Sequence, residues 1–337
     1  MTTNQPIFVT GSSRSGTTMM GRILNNHPDI FTFNELHFFE QLWSPEEAET
    51  VLNRKEGETL LANLISIQRE GYLQKRRTEK FLSEGFKIRH SGDHNQTAIQ
   101  HYLSFLAHET ALHHKSCACD QTPRNIFYVE EILRYIPEAR VIIMMRDGRD
   151  VLNSQKRKWM RKFKGASNIP LMESVRSWCN YHPITISRLW RSSTRVAMRM
   201  RNHERVMVVQ FEELLANPSE MVKKLCLFLG REFHPSMLEI PQLGSSSQND
   251  QPGKMGINRE LSGQWMKGGL NRAEIAICNA INKLEFAANG YQSAEGNRFI
   301  PEVVYYYLTF PVKTCIALLF NLKRMRNIRE TIKRRLS

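Results

Sequence analysis

Residues 6–20 read PIFVTGSSRSGTTMM. The apolar run Ile7-Phe8-Val9 has strand character, and Gly11-Ser12-Ser13-Arg14-Ser15-Gly16-Thr17-Thr18 follows as a glycine-bounded turn. Met19, Met20, Ile23 and Leu24 then recur at helical spacing. A strand, a Gly-rich turn and a helix N-terminus in that order make an anion site. Backbone N–H groups converge there, and the helix dipole favours negative charge. The spacing Gly-x4-Gly-x-Thr follows the phosphate loop of nucleotide-binding proteins except at one place. Position 17, where a nucleoside triphosphatase carries Lys, is Thr17, and the cation sits inside the loop as Arg14. That shift points away from ATP hydrolysis and toward a different activated nucleotide.

Working outward, Arg140 to Met145 (RVIIMM) is a continuous apolar run, as expected of a buried parallel strand. It ends in Arg146-Asp147-Gly148-Arg149-Asp150, and Ser154 lies eight residues after Arg146. An Arg at the carboxyl end of a strand suits the rule that ligands of open α/β sheets bind there. Its planar fork matches a phosphate, and Ser154 adds a hydroxyl. A surface ion pair between Arg146 and Asp147 is the plainer alternative. Asp120-Gln121-Thr122-Pro123-Arg124 makes a third turn after Ser116 to Cys119. Arg205 to Phe211 (RVMVVQF) reads as a further buried strand, followed by Glu212-Glu213-Leu214-Leu215 and Pro218.

Arg-Ser-Gly-Thr-Thr after a strand resembles the 5′-phosphosulfate loop of sulfotransferases, which use 3′-phosphoadenosine 5′-phosphosulfate (PAPS) as donor. Arg146 and Ser154 resemble that family's 3′-phosphate element. Asp120 to Arg124 is similar to its Lys-Thr-Pro turn, with Gln121 where Lys is usual, so another cation must serve here. The resemblance is closest to the tyrosylprotein and carbohydrate branches. It implies a phosphate-loop-type parallel β-sheet flanked by helices, to which the apolar tail adds a helical C-terminal extension. It also implies donor binding by Arg14, Ser15, Gly16, Thr17, Thr18, Arg146 and Ser154, with Arg14 stabilising the leaving phosphate. Glu35, 21 positions after Arg14, takes the place of the family's general base. His37 is the alternative base, since two residues on along an extended segment it projects to the same side. A loop ending near Trp265, with Lys254, Arg259 and Ser262 as phosphate contacts, is similar to the loop that closes over PAPS in relatives.

The chain of 337 residues with 41% hydrophobic content suffices for one large α/β domain. Because the two phosphate motifs must meet, residues 1–290 form one domain and 291–337 an apolar, then basic, extension. Six cysteines without disulfide or zinc spacing fit a reducing compartment. The polar, very short Met1 to Gln5 segment lacks the features of a leader, which favours a cytoplasmic location, with a peripheral position at the inner face of a membrane as an option. No metal is expected: His90, His94, His101, His108, His113 and His114 are scattered without a completing ligand set.

The net charge of +14 suits a polyanionic donor and includes two runs, 156–164 and 188–205. They could attract an anionic acceptor or a membrane, or be solvated helix faces. No nucleic-acid-binding module is present. Residues 45–70, 95–114 and 171–201 look helical, Gly85 to Gly92 and Gly244 to Arg259 look like loops, and Ala273 to Ala288 looks like a closing helix. Val303 to Leu322 is near a membrane span in length but is interrupted by Pro311 and Lys313. Contact with anionic lipid, and packing on the domain or on a second subunit of a homodimer, are both open.

The sequence therefore predicts an enzyme moving a sulfuryl group from PAPS to a hydroxyl of a glycan, glycolipid or related acceptor. The competing readings are a phosphate-loop nucleotide kinase or hydrolase, and a noncatalytic nucleotide- or lipid-binding protein on the same fold.

Overall fold

A computed structural model of the chain describes residues 5–74, 76–90, 95–164, 169–242, 251–292, 301–322, 330 and 333–335. The expectations for the first four residues, Gly92, His94, the 243–250 stretch and most of the basic tail lie outside them.

Five strands, β1 (Ile7–Gly11), β2 (Ile30–Phe33), β3 (Cys117–Gln121), β4 (Arg140–Met145) and β5 (Val206–Gln210), form one sheet in the order β2-β3-β1-β4-β5. Every neighbouring pair is parallel. The runs around β1 and β4 are apolar at every position because both faces of the sheet are covered. On one face Phe8, Val141, Ile143 and Met145 pack with Leu61, Leu64, Tyr102 and Phe105 from the long helices Arg54–Glu70 and Ala98–Leu112. On the other, Ile7, Val9, Ile142 and Met144 pack with Met20, Ile23, Leu214 and Leu225. The two central strands thus alternate between two cores, and their carboxyl ends emerge together at one edge. This is the phosphate-loop-type parallel sheet expected, with a helical C-terminal region.

The third turn ties that edge together. Asp120 is fully buried and accepts from Tyr102 Oη (2.6 Å), Thr122 Oγ1 (2.6 Å) and Asn125 Nδ2 (3.1 Å). Thr122 Oγ1 in turn accepts from the Leu36 N–H at 3.0 Å, and Thr10 Oγ1 donates to the Pro123 carbonyl at 2.8 Å. The segment after β2 is therefore fixed to the strand that carries the glycine-rich loop. Asp120→Ala strands three donors in the core and should lower unfolding free energy by about 3 kcal/mol or more. A denaturant titration measures this directly; a loss within about 0.5 kcal/mol, the scale of a surface change, would contradict it.

Several sequence expectations need correction. Residues 45–70 are not one helix: a short 3-10 turn (Pro45–Glu47) precedes the helix Arg54–Glu70, which starts at Asn53 with a capping box to Glu56. Gly85 lies inside the helix Thr78–His90, not in a loop. It is there because that helix crosses Arg54–Glu70 so closely that a Cβ would lie 2.8 Å from the Glu58 carbonyl oxygen. Gln251–Met255 is a strand, paired antiparallel with Pro241–Gln242. The closing helix is two, Arg272–Ile281 and Lys283–Ala288, broken at Asn282. β5 is an edge strand and only half-buried. Residues 171–201 are indeed two helices, Leu171–Cys179 and Pro183–Met200, and the apolar tail is the helix Pro301–Asn321.

The arginines of the 188–205 run are half-buried or exposed, but several are tied to other parts of the fold. Arg191 donates to the Ile281 carbonyl, Arg195 pairs with Glu285 at 2.8 Å, and Arg205 donates to the Leu133 and Pro137 carbonyls. Arg199 forms a surface pair with Glu130 in which both side chains are exposed. In the 156–164 run, Lys156 pairs with Glu274 at 2.8 Å.

Candidate active site

The glycine-rich loop departs from β1 at Gly11, whose φ of 146° is needed because a Cβ would lie 2.2 Å from the Met144 carbonyl oxygen of β4. Arg14 itself adopts a left-handed conformation (φ 81°), and Gly16 (φ 92°) caps the helix Thr17–Asn25 without a side-chain cap. Non-glycine residues in that region carry strain and concentrate at functional sites. A Cβ on Gly16 would meet the Phe211 ring at 2.3 Å. The Phe211 ring thus packs directly on Gly16, and the start of the helix, Thr17 and Thr18, lines the cavity described below.

The second motif comes to the same place. Arg146, at the end of β4, donates from Nη1 to the Arg14 carbonyl at 3.3 Å. Arg14 Nε donates to Ser154 Oγ at 2.8 Å. Ser154 thus meets the loop arginine. Trp190 Nε1 donates to the Arg146 carbonyl at 2.9 Å, and the Arg146 guanidinium lies 4.7 Å from the centre of the Phe211 ring. Arg146 pairs with Asp150 (3.4 Å) and not with Asp147, so the surface ion pair is excluded. Asp147 is instead held by Arg149 at 2.6 Å. A phosphate-loop hydrolase would need a free carboxylate for magnesium here, and Asp147 is committed.

Residues 258–265 do reach the cleft, but through the backbone. Arg146 Nη2 donates to the Leu261 carbonyl (2.6 Å), and Asp150 accepts from the Gly263 and Trp265 N–H groups at 2.8 Å each. Lys254 and Arg259 are exposed.

One cavity of about 810 Å³ joins the loop, Arg146, Glu35, His37, Arg124 and Lys158. Glu35 follows β2, its side chain 42% exposed, and accepts from His37 Nε2 at 3.2 Å. A carboxylate only accepts, so Nε2 carries the proton. His37 adopts a left-handed conformation (φ 52°) and packs at a tilt on Tyr72 with ring centres 3.9 Å apart, while its buried Nδ1 lies 3.4 Å from a Glu40 oxygen without a hydrogen-bond partner among the described residues. Buried Glu40 is gripped by Arg124 at 2.8 and 2.9 Å and by Arg335. Both candidate bases therefore stand side by side, joined by the hydrogen bond from His37 Nε2 to Glu35.

Burial pushes the Glu35 carboxyl up, but the hydrogen bond and charge of His37, with Lys158 and Arg124, outweigh it and hold it below its ordinary value. Burial likewise holds His37 below the ordinary imidazole value, against the pull of Glu35. At neutral pH Glu35 is ionised and His37 neutral. The cations crowd one another. Arg14 is pushed down to about 9 by burial and by repulsion from Arg161 and Arg146. Lys158 is pushed down to about 8 by burial and by Arg14, with Glu35 opposing. A multiply charged anion relieves exactly this kind of like-charge crowding. Ser15 Oγ and Arg146 Nε are buried without a hydrogen-bond partner among the described residues, which fits phosphate oxygens at both motifs.

Gln121, at the position of the usual Lys, packs against Gly21 of the loop helix. Lys158, Phe211 and Glu40 escaped the sequence reading. Lys158 sat within a basic run and Phe211 within a segment without evident chemistry; no local signal marked Glu40. Glu84, His108 and Glu109 cluster closely enough for a metal, but Arg69 already donates to Glu84 (2.6 Å) and Glu109 (2.5 Å).

A family model described as "Sulfotransferase family" matches residues 6–235. A putative protein-tyrosine sulfotransferase of Caenorhabditis briggsae is 23% identical over 274 residues, 79% of this chain and 78% of that protein. Sulfotransferase 2A1 of Macaca fascicularis is 24% identical over 203 residues, 52% of this chain and 67% of that one. Among solved structures, the sulfotransferase domain from the curacin biosynthetic pathway superposes with a TM-score of 0.51 at 17% identity, covering 86% of this chain and 99% of that domain.

Proposed function

Because the chain belongs to the sulfotransferase family and is an enzyme that transfers sulfate, we propose that it takes the sulfuryl group from PAPS and places it on a hydroxyl of a glycan, glycolipid or related acceptor. The observation that carries the donor reading is the meeting of Arg14, Ser154 and Arg146 at one cleft that Glu35 also lines. Ser15, Gly16, Thr17 and Thr18 offer N–H and hydroxyl donors to the 5′-phosphosulfate. Arg146 and Ser154 serve the 3′-phosphate.

In the transfer, Glu35 takes the proton of the acceptor hydroxyl as its oxygen bonds to sulfur. The bond from sulfur to the phosphate oxygen breaks, and its electron pair stays with the 5′-phosphate of the departing adenosine 3′,5′-bisphosphate (PAP). Arg14 and the loop N–H groups stabilise that charge. His37 holds the Glu35 carboxylate in place. Since Glu35 is not made more basic by its surroundings, alignment of the hydroxyl supplies the advantage. Lys158, beside both Arg14 and Glu35 in electrostatic terms, assumes the bridging charge that Gln121 lacks.

Incubation with PAPS and separate glycan and lipid fractions, followed by mass spectrometry for the added sulfuryl group, tests the acceptor class. Modification of protein tyrosine alone would overturn it. Arg146→Lys, which keeps the charge but loses the planar fork, should weaken PAP binding about 10- to 100-fold. Calorimetric titration gives that ratio, and unchanged affinity would remove Arg146 from the donor site.

A further inference from the structure

The helix Pro301–Asn321 carries few polar side chains, and several of them turn toward the domain: Thr309 Oγ1 lies 3.5 Å from His182 Nε2, Asn321 Nδ2 donates to Asn180 Oδ1 at 2.7 Å, and Tyr306 Oη accepts from Asn271 Nδ2 at 3.1 Å. Lys313 folds back over the Trp178 ring at 3.7 Å. Its outward face is apolar and exposed instead, with Leu308 at 73%, Val312 at 63% and Leu319 at 69% exposure. A surface helix of a water-soluble domain has the opposite polarity. The adjoining helix Leu171–Cys179 adds exposed Leu171, Met172, Val175 and Trp178, the first, second, fifth and eighth residues of that helix, which share one side.

We infer that these two helices form a face that docks on an anionic lipid bilayer, lying in the plane of its interface. With 21 residues the terminal helix is long enough to cross a membrane. It is nevertheless held to the domain at both ends, by Tyr306 near its start and Asn321 at its finish, and it packs along Leu171–Cys179, Pro183–Met200 and Arg272–Ile281. A helix bound lengthwise to a folded domain lies on a bilayer and does not span it. The sequence that directly follows supplies Lys323, Arg324, Arg326 and Arg329, and Trp178, Tyr305 and Tyr307 are side chains suited to the headgroup level. The inner side of the same helix lines the cleft: Phe310, Thr314, Ala317 and Leu318 share its cavity with Glu35. An amphiphile resting in the bilayer therefore has a route to the base. That route depends on the transfer reading above; docking itself does not.

Flotation of the full-length protein with phosphatidylcholine vesicles, with and without phosphatidylglycerol, tests the inference. The protein should float with the anionic vesicles, and the triple substitution Leu308→Glu, Val312→Glu, Leu319→Glu should lower partitioning roughly 100-fold. PAP binding and the melting temperature should stay as in the wild type, because these side chains touch neither the donor site nor the core. If the triple variant does not fold, Leu308→Ser with Leu319→Ser should still reduce partitioning at least about 10-fold. Absence of flotation by the wild type overturns the inference, as does equal flotation of the variants. So does a lipid-free dimer that the substitutions convert to a monomer without vesicle binding, which would assign the face to a second copy. Loss of PAP binding with flotation intact would refute the donor reading alone.

Discussion

Replacing Glu35 by Gln should reduce turnover by roughly 10²- to 10⁴-fold while PAP affinity stays within about twofold of wild type, the scale of a lost general base. Gln is nearly isosteric and still accepts from His37 Nε2 through its carbonyl oxygen, so the contact with His37 persists. What is lost is the capacity to take a proton. The pH profile provides the companion result. Glu35 is held below the ordinary carboxylate value. It is ionised above its folded pKa and becomes inactive as pH falls through it, so the acidic limb of kcat/KM should lie in the lower carboxylate range, with no acidic-limb inflection near neutrality. Unchanged turnover in the Gln variant would dismiss Glu35. An inflection just below the ordinary imidazole value, removed by His37→Asn, would transfer the role to His37, whose value is also held down by burial.

Lys158→Met should cost about 10²- to 10³-fold in kcat, the usual loss when one donor to developing charge is removed from a closed site. Lys158 is charged below its folded pKa of about 8 and neutral above it. The wild-type kcat/KM for the donor, which reports the free enzyme, should therefore decline as pH rises through about 8. Bound PAPS adds negative charge near the ammonium and moves the kcat limb upward. Lys158→Arg should abolish the decline, because a guanidinium keeps its proton in that range. Full activity in the Met variant, or an alkaline limb that survives the Arg replacement, would show that the charge missing at Gln121 is supplied elsewhere.

Legibility in the sequence followed locality. Each half of the proposed donor site is a strand, a turn and a helix start within about a dozen residues, so the strand–turn–helix order around Arg14 and Arg146 could be read from residue types and order alone. Even so, the pairing of Ser154 with Arg14 joins residues 140 positions apart and had no local trace. The same holds for Glu40, gripped by Arg124 and by Arg335 from the far end of the chain. Lys158 was hidden among like charges, since only its position against Arg14 and Glu35 separates it from its neighbours in the run. Gly85 misled for the opposite reason. Its lack of a side chain serves a close crossing of two helices, and a single sequence cannot tell that use from a turn. The helix Pro301–Asn321 was visible as an apolar run, but which of its residues meet the domain is revealed by packing alone.

The central claim is that Arg14 and Arg146 share one cleft built for a nucleotide with phosphates at both the 3′ and 5′ positions. Calorimetric binding of PAP and AMP to the wild-type protein at one salt concentration tests it most directly, because the two ligands differ only in the 3′-phosphate. PAP should bind about 30- to 100-fold tighter or more, as expected for charge-assisted hydrogen bonds to a buried guanidinium. Equal affinity for the two would contradict the account.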